Sequence, residues 1–377
     1  MKKVGIVSYN IYGNFTNYGS ALQSWALSNA INKVGQNNFE SILIDYCPDI
    51  LADKDPLNPM KHMWDADEES RRMCELSLPA IRENFKKFDR FYHERFNRTK
   101  AKYTSANFNN VINEGIAAFV CGSDTIFCID EFAGFDDGYY ANYRCMKNGY
   151  TISYAASFGD SHFTDDDYTT LNERLKNFKA IGIRERDMLN YIREHFNGEV
   201  CQNLDPTLLL MKEDYEELVK TVKPVAEKDS YLLLYSRRYN PVMEKYAEKI
   251  SKELGVKIIE ISLRAVNAER HQMFYEAGVE EFLSLVKNAA FVVTNSYHGI
   301  IFSIQYQRPF VAFSREQGDT KIKELLNLCE ISERLLIDGS ENLSAINYDA
   351  VHDKIVVARK KSLNFLEKSL KNYELLS

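Results

Sequence analysis

The sequence predicts an α/β protein made of two Rossmann-like, doubly wound domains that face a cleft. At 377 residues the chain is longer than one hydrophobic core usually organises, so two cores are expected. Apolar runs alternate with amphipathic segments, as in parallel sheets whose strands are buried on both faces and linked by helices. Near residues 211 to 230 the charged stretch KEDYEELVKTVKPVAEKDS breaks this alternation, and YLLLYS then opens a fresh set of strands. These observations divide the chain into a first domain over 1–215 with an insertion near 47–110, a second over 225–345, and C-terminal helices over 349–377 placed to pack back on the first.

In the first half, apolar runs place strands near 3–9, 40–46, 117–121, 150–156, 179–184 and 199–204. A helix is expected to start near Ser20, with Leu22, Trp25, Ala26, Leu27, Ala30 and Ile31 on one face and Gly35 closing it. Between 47 and 76 the periodicity fades. An aromatic helix follows around Phe85, Phe88, Phe91, Tyr92 and Phe96, read as core of an insertion or lid. The second half offers strands at 231–236, 257–262, 290–295 and 309–313.

Composition narrows the function. A formal net charge of -7 spread along the chain gives no general attraction for nucleic acid, so an anionic substrate would need a local cluster of Arg, His and backbone N–H groups. Seven cysteines form no C-x-x-C pair, and reduced thiols are the simpler reading, with Cys121 and Cys201 as small core residues. The histidines show no metal-ligand spacing. The N-terminal MKKVGIVSYN is too short an apolar run for a signal peptide, and no stretch is apolar enough to cross a bilayer.

Ligands of open parallel sheets sit beyond the carboxyl ends of the strands, so residues just after each apolar run are the candidates. After the first strand, NIYGNFTNYGS ends at a helix N-terminus, where free N–H groups suit a phosphate or carboxylate, and Asn17, Tyr18 and Gly19 are its candidate contacts. The loop lacks both the G-x-G-x-x-G and the P-loop spacing, so no nucleotide site is indicated. A plain turn capped by Ser20 is the alternative. Asp124 ends VCGSD, either as a base for a sugar hydroxyl or as a cap. Arg184 and Arg186 follow a strand in KAIGIRERD, where each suits an oxyanion or a surface pair with Glu185 or Asp187. Arg237 and Arg238 follow YLLLYS, and Ser296, Tyr297 and His298 follow the strand FVVTN beside Gly299, which lets a ligand approach the backbone.

VEEFLSLVKNAAFVVTNSYHGIIFSIQYQRPFVAF at 279–313 resembles the C-terminal signature of the polysaccharide pyruvyl transferase family. NYGSALQSWAL, VCGSD, YAASFG, GIRERD and LDPTLLL agree with the same family in the same order. The resemblance implies a GT-B-like arrangement of the two domains and transfer of pyruvate from phosphoenolpyruvate to a sugar as a ketal. It also implies donor contacts from His298 and from Arg184 or Arg186. Some members carry an Arg two residues before that His. Here Ser296 stands there, so Arg237, Arg238 or Arg315 would supply the contact.

Phosphoenolpyruvate becomes electrophilic at C2 once C3 is protonated, which calls for an acid and several cations. His298 is the candidate acid and Asp124 the candidate base. The resemblance implies phosphoenolpyruvate as donor substrate, and the expected scheme demands no cofactor or metal. The expected partners are that donor and a sugar or lipid-linked saccharide acceptor, met in the cytoplasm or at the inner face of the cytoplasmic membrane without a transmembrane segment. Domain closure is expected to exclude water. Two other readings stand beside this one: a GT-B-type glycosyltransferase using a nucleotide sugar, and a non-catalytic carbohydrate-binding protein.

Overall fold

A computed structural model describes residues 1–36, 38–59, 68–315, 319–339 and 343–376. Residues 60–67 of the expected insertion, 316–318 and 340–342 of the expected second domain, and the terminal residue 377 lie outside the described residues, as does the side chain of Cys74.

The first sheet consists of β1 (Lys2–Val7), β2 (Phe39–Leu43), β3 (Ile116–Cys121), β4 (Tyr150–Ala156), β5 (Ala180–Ile183) and β6 (Glu199–Gln202). They lie in the order β2-β1-β3-β4-β5-β6, and each neighbouring pair is parallel. The second sheet holds β7 (Tyr231–Tyr235), β8 (Lys257–Ile261), β9 (Gln272–Met273), β10 (Phe291–Thr294), β11 (Phe310–Phe313) and β12 (Leu335–Leu336). Their order is β12-β11-β10-β7-β8-β9, again parallel throughout. β9 and β12 escape the sequence pattern because two residues make no periodic run.

The chain reverses its direction of travel across the first sheet between β1 and β3, and across the second between β7 and β10. At such a switch point the connections leave to opposite sides and open a crevice beyond the carboxyl ends of the strands. Four loops are thereby set around a hollow: those after Val7, Cys121, Tyr235 and Thr294.

The helix Tyr18–Gly35 is the keystone between the sheets. Its N-cap is Asn17, whose side chain accepts from the Gly19 N–H at 3.0 Å, so the helix starts two residues before the expected Ser20. Its C-terminal left-handed position is taken by Gln36 rather than Gly35. A Cβ on Gly35 would meet the Phe39 ring at 2.9 Å, so that glycine serves close packing. The expected single apolar face is also exceeded. Ser20, Gln23 and Ser24 on the other side are buried too, because the helix packs on the first sheet and on the helices Val279–Asn288 and Tyr297–Gln305 of the second. Gln23 satisfies this polar stripe by donating to Ser8 Oγ at 2.8 Å and accepting from the Ser123 N–H at 2.9 Å.

One hydrophobic core therefore runs through both halves. The Tyr18 ring stacks on Phe282 at 4.5 Å, and Tyr235 meets both rings edge-on. Trp25 and Phe302 close on Tyr215, which sits on the helix Lys212–Val219 within the charged connecting stretch. The insertion helix Glu68–Arg95 joins the same seam. Phe88, Phe91 and Tyr92 are buried, Asn84 donates to the Ala277 carbonyl at 2.6 Å, and Lys87 pairs with Glu281 at 2.7 Å. The C-terminal helix Tyr348–Leu376 begins beside the second sheet and returns to the first, where Tyr373 packs on Phe39 and Tyr150. Separating the two halves along this seam would expose a continuous aromatic core.

Candidate active site

A cavity of about 1040 Å³ lies at the two switch points, lined from the first half by Asn17, Asp124, Thr125, Cys128, Asp130, Glu131, Gly159, Asp160, His162 and Glu185. The second half contributes Arg237, Arg238, Ser296, Tyr297, His298, Ser314, Arg315, Asp319, Thr320, Lys321 and Lys323. The local cluster of cations expected from the sequence is therefore only half the picture. Every Lys and Arg in the lining comes from the second half, and the first half faces them with carboxylates.

His298 occupies the first turn of the helix Tyr297–Gln305, which Ser296 caps by accepting from the Gly299 N–H at 3.3 Å. The Ser296 backbone is held by Thr294 Oγ1 at 3.0 Å, and that hydroxyl donates to the Tyr235 carbonyl at 2.7 Å, locking β10 to β7 where the loops diverge. Asn295 fixes the neighbouring loop, accepting from the Arg237 N–H at 2.8 Å and donating to the Arg238 carbonyl at 2.6 Å. Both arginine side chains are exposed at the cavity rim, and Arg237 Nη1 also donates across to the Thr16 carbonyl at 3.2 Å.

His298 is itself buried and reaches into the first half, its Nε2 lying 3.3 Å from Asp205 Oδ2. The same oxygen pairs with Arg184 Nη2 at 2.9 Å, and Asp205 Oδ1 accepts from the Thr207 N–H and hydroxyl at 2.9 and 2.6 Å. Arg184 also donates to Ser123 Oγ and lies over the Tyr297 ring. Arg184 thus forms the buried bed beneath the cavity rather than its lining. Two residues on, Arg186 is exposed and outside the lining, its N–H donating to Glu324 at 2.8 Å.

Tyr18 is also remote from the hollow, its ring in the interdomain core and its hydroxyl on the Ala277 carbonyl at 2.8 Å. Gly19 lies against His298: a Cβ there would come within 2.0 Å of Nδ1. Here the missing side chain is what admits the imidazole. Ser20, instead of capping, donates from its hydroxyl to Asp124 Oδ2 at 2.6 Å, and Asp124 Oδ1 accepts from the Thr125 N–H at 2.9 Å.

Burial works to raise the Asp124 carboxyl, but Lys321, Arg184 and His298, with the Ser20 hydroxyl, outweigh it and hold the group below the usual carboxylate range. Asp205 follows the same pattern more strongly: burial opposes ionisation, and Arg184 and His298 overcome it. Glu185 goes the other way. Burial lifts it above the ordinary range despite Arg184 and an accepted bond from Ser157, so it takes a proton more readily than its neighbours. The Lys321 ammonium is lowered by burial, against the pull of Asp124. The Cys128 thiol is raised by burial, which keeps it in the unreactive form.

Asp205, Glu185 and Lys321 were missed as site residues. Asp205 follows β6 as Asp124 follows β3, so the rule of residues beyond strand ends could have found it. Glu185 was read only as a surface partner for its arginine neighbours, whereas it is buried. No group of three or more His, Cys, Asp or Glu side chains suited to a metal ion occurs among the described residues.

The polysaccharide pyruvyl transferase family model matches residues 17–317 of the chain. No curated protein matches it. Among solved structures the chain is similar to UDP-GlcNAc 2-epimerase from Methanocaldococcus jannaschii, at 13% identity over 96% of this chain and 93% of that one with a TM-score of 0.52. It is also similar to UDP-GlcNAc 2-epimerase from Neisseria meningitidis bound to UDP-GlcNAc, at 8% identity over 100% of both chains with a TM-score of 0.49. The fold is of the GT-B type, and at these identities the likeness concerns architecture alone.

Proposed function

The chain belongs to the polysaccharide pyruvyl transferase family and is a transferase, and from that premise we propose that it moves pyruvate from phosphoenolpyruvate onto two hydroxyls of a sugar as a ketal. The observation that carries this reading is the division of the cavity, with cations and a buried His298 on one side and hydrogen-bond-accepting carboxylates on the other.

Phosphoenolpyruvate is a compact anion, and Arg237, Arg238, Arg315 and Lys321 supply guanidinium and ammonium donors for its phosphate and carboxylate. Positioned donors of this kind stabilise charge developing on a departing phosphate by about 3 kcal/mol each. His298 gives a proton to C3, which leaves C2 electrophilic. One acceptor hydroxyl adds at C2 and loses its proton, the C2–O bond to phosphate breaks, and the second hydroxyl closes the ketal with loss of its own proton. The sum is one phosphoenolpyruvate and one diol converted to one ketal and one inorganic phosphate.

The low proton affinity of Asp124 limits it as a base. As a permanent carboxylate it orients an acceptor hydroxyl and receives the proton only as bond formation acidifies that hydroxyl. The acceptor is a sugar of a surface polysaccharide or of its lipid-linked precursor. No helix among the described residues is long and apolar enough to cross a membrane, so a lipid-linked acceptor would be met at the membrane surface.

Phosphorus NMR of the protein with phosphoenolpyruvate and a panel of sugars tests the reading. Acceptor-dependent release of inorganic phosphate is expected, falling by about 10²- to 10⁴-fold in His298→Ala as the acid is lost. Release that survives this substitution unchanged removes His298 from the role. Protection of the protein by a nucleoside diphosphate instead of phosphoenolpyruvate would favour glycosyl transfer.

A further inference from the structure

A buried carboxylate shared between an arginine and a histidine from opposite halves of the molecule calls for an explanation, because charges are not buried without partners at small cost. We infer that Asp205 is the positioning residue for His298: its carboxylate, 3.3 Å from Nε2, fixes the orientation of the ring and favours the form protonated at Nε2.

The carboxylate is itself fixed at every oxygen. Thr207 holds Oδ1 through its N–H and hydroxyl, and Arg184 Nη2 holds Oδ2 at 2.9 Å, so the oxygen 3.3 Å from His298 Nε2 has little freedom to follow the ring. On the opposite side the ring abuts Gly19, where even one added carbon would lie 2.0, 2.4 and 2.7 Å from Nδ1, Cε1 and Cγ. The imidazole is thus clamped between a fixed acceptor and a bare backbone position. A carboxylate charge this close to Nε2 favours the tautomer that carries its proton there, since a carboxylate cannot donate. A positioned carboxylate of this kind acts by orientation and tautomer, and does not itself touch the substrate.

The inference rests on the pyruvyl-transfer reading only for the task given to His298, and its test is independent of turnover. In protein labelled with ¹⁵N-histidine, the His298 resonances are identified by their loss in His298→Gln. Wild type at neutral pH is expected to show a protonated Nε2. Asp205→Asn, whose amide can donate to Nε2, is expected to move the proton to Nδ1. Gly19→Ala keeps every charge and is expected to displace the ring and abolish the wild-type signature, which serves if the Asn variant does not fold. An unprotonated Nε2 in wild type, or a signature unchanged by Gly19→Ala, overturns the inference. Absence of phosphate release with every sugar would count against the proposed function, yet it would not alter these spectra.

Discussion

Two sets of charges at the cavity follow opposite physical principles. Along and beneath the first-half wall, Asp124, Arg184, Glu185 and Asp205 are each at most 5% exposed and each is held by a side-chain partner, while Asp130, Glu131, Asp160 and His162 of the same wall stay exposed. The second-half wall leaves Arg237 and Arg238 exposed on the loop after β7, anchored chiefly through their backbone by Asn295. Buried charges interact strongly and resist change, whereas exposed ones are screened and replaceable. Under the proposed reaction the difference would separate two tasks, with the buried groups shaping proton chemistry and the exposed cations capturing the anionic donor.

Breaking the buried side is expected to have the largest effect. Arg184→Ala strands Asp205 without its cation and should cost about 3–5 kcal/mol, read as a lower urea midpoint with an unchanged slope. A fall below 1 kcal/mol would show that the bed is not the rigid element described.

Acid is expected to act next. Asp124 and Asp205 ionise below their ordinary range in the folded protein, so their contribution is present above the usual aspartate value of about 4 and drains away as pH falls through the folded values. Glu185 works in the opposite sense, since its raised affinity means that the folded state gains as that group protonates above the usual glutamate range. Urea midpoints are therefore expected to hold or rise slightly through mild acid and then drop, and Glu185→Gln should remove the early rise.

The smallest effect on stability belongs to the exposed wall. Arg237→Gln and Arg238→Gln are expected to shift stability by less than about 0.5 kcal/mol. Each should raise the KM for phosphoenolpyruvate roughly ten-fold, for the loss of a charged hydrogen bond. The penalty should shrink as salt is added, because screening already weakens those contacts in wild type. A variant that loses stability but binds the donor normally would reverse the assignment of tasks.

Much of this architecture was legible because long apolar runs report burial on both faces directly, and ten of the twelve strands follow from them. The site was legible only to the level of which loops meet. Arg184 and Arg186 stand two apart in one motif, yet one lies buried against Asp205 and the other exposed near Glu324, a distinction made by distant segments. Tyr18 and Gly19 illustrate the same limit. Both flank the expected anion loop, but the partners that claim them, Phe282 and His298, come from more than 250 residues away in sequence.

The stacking of Tyr18 on Phe282 has a consequence for anyone who would recombine this protein with a relative. A crossover placed in the charged connector before β7 severs the chain in a polar stretch, but it unites two surfaces that never co-evolved a fit. Such hybrids should be insoluble unless the Tyr18–Gly35 helix travels with the half that grips it. Each parental protein, in contrast, should melt in a single calorimetric step, with its two sheets surrendering together.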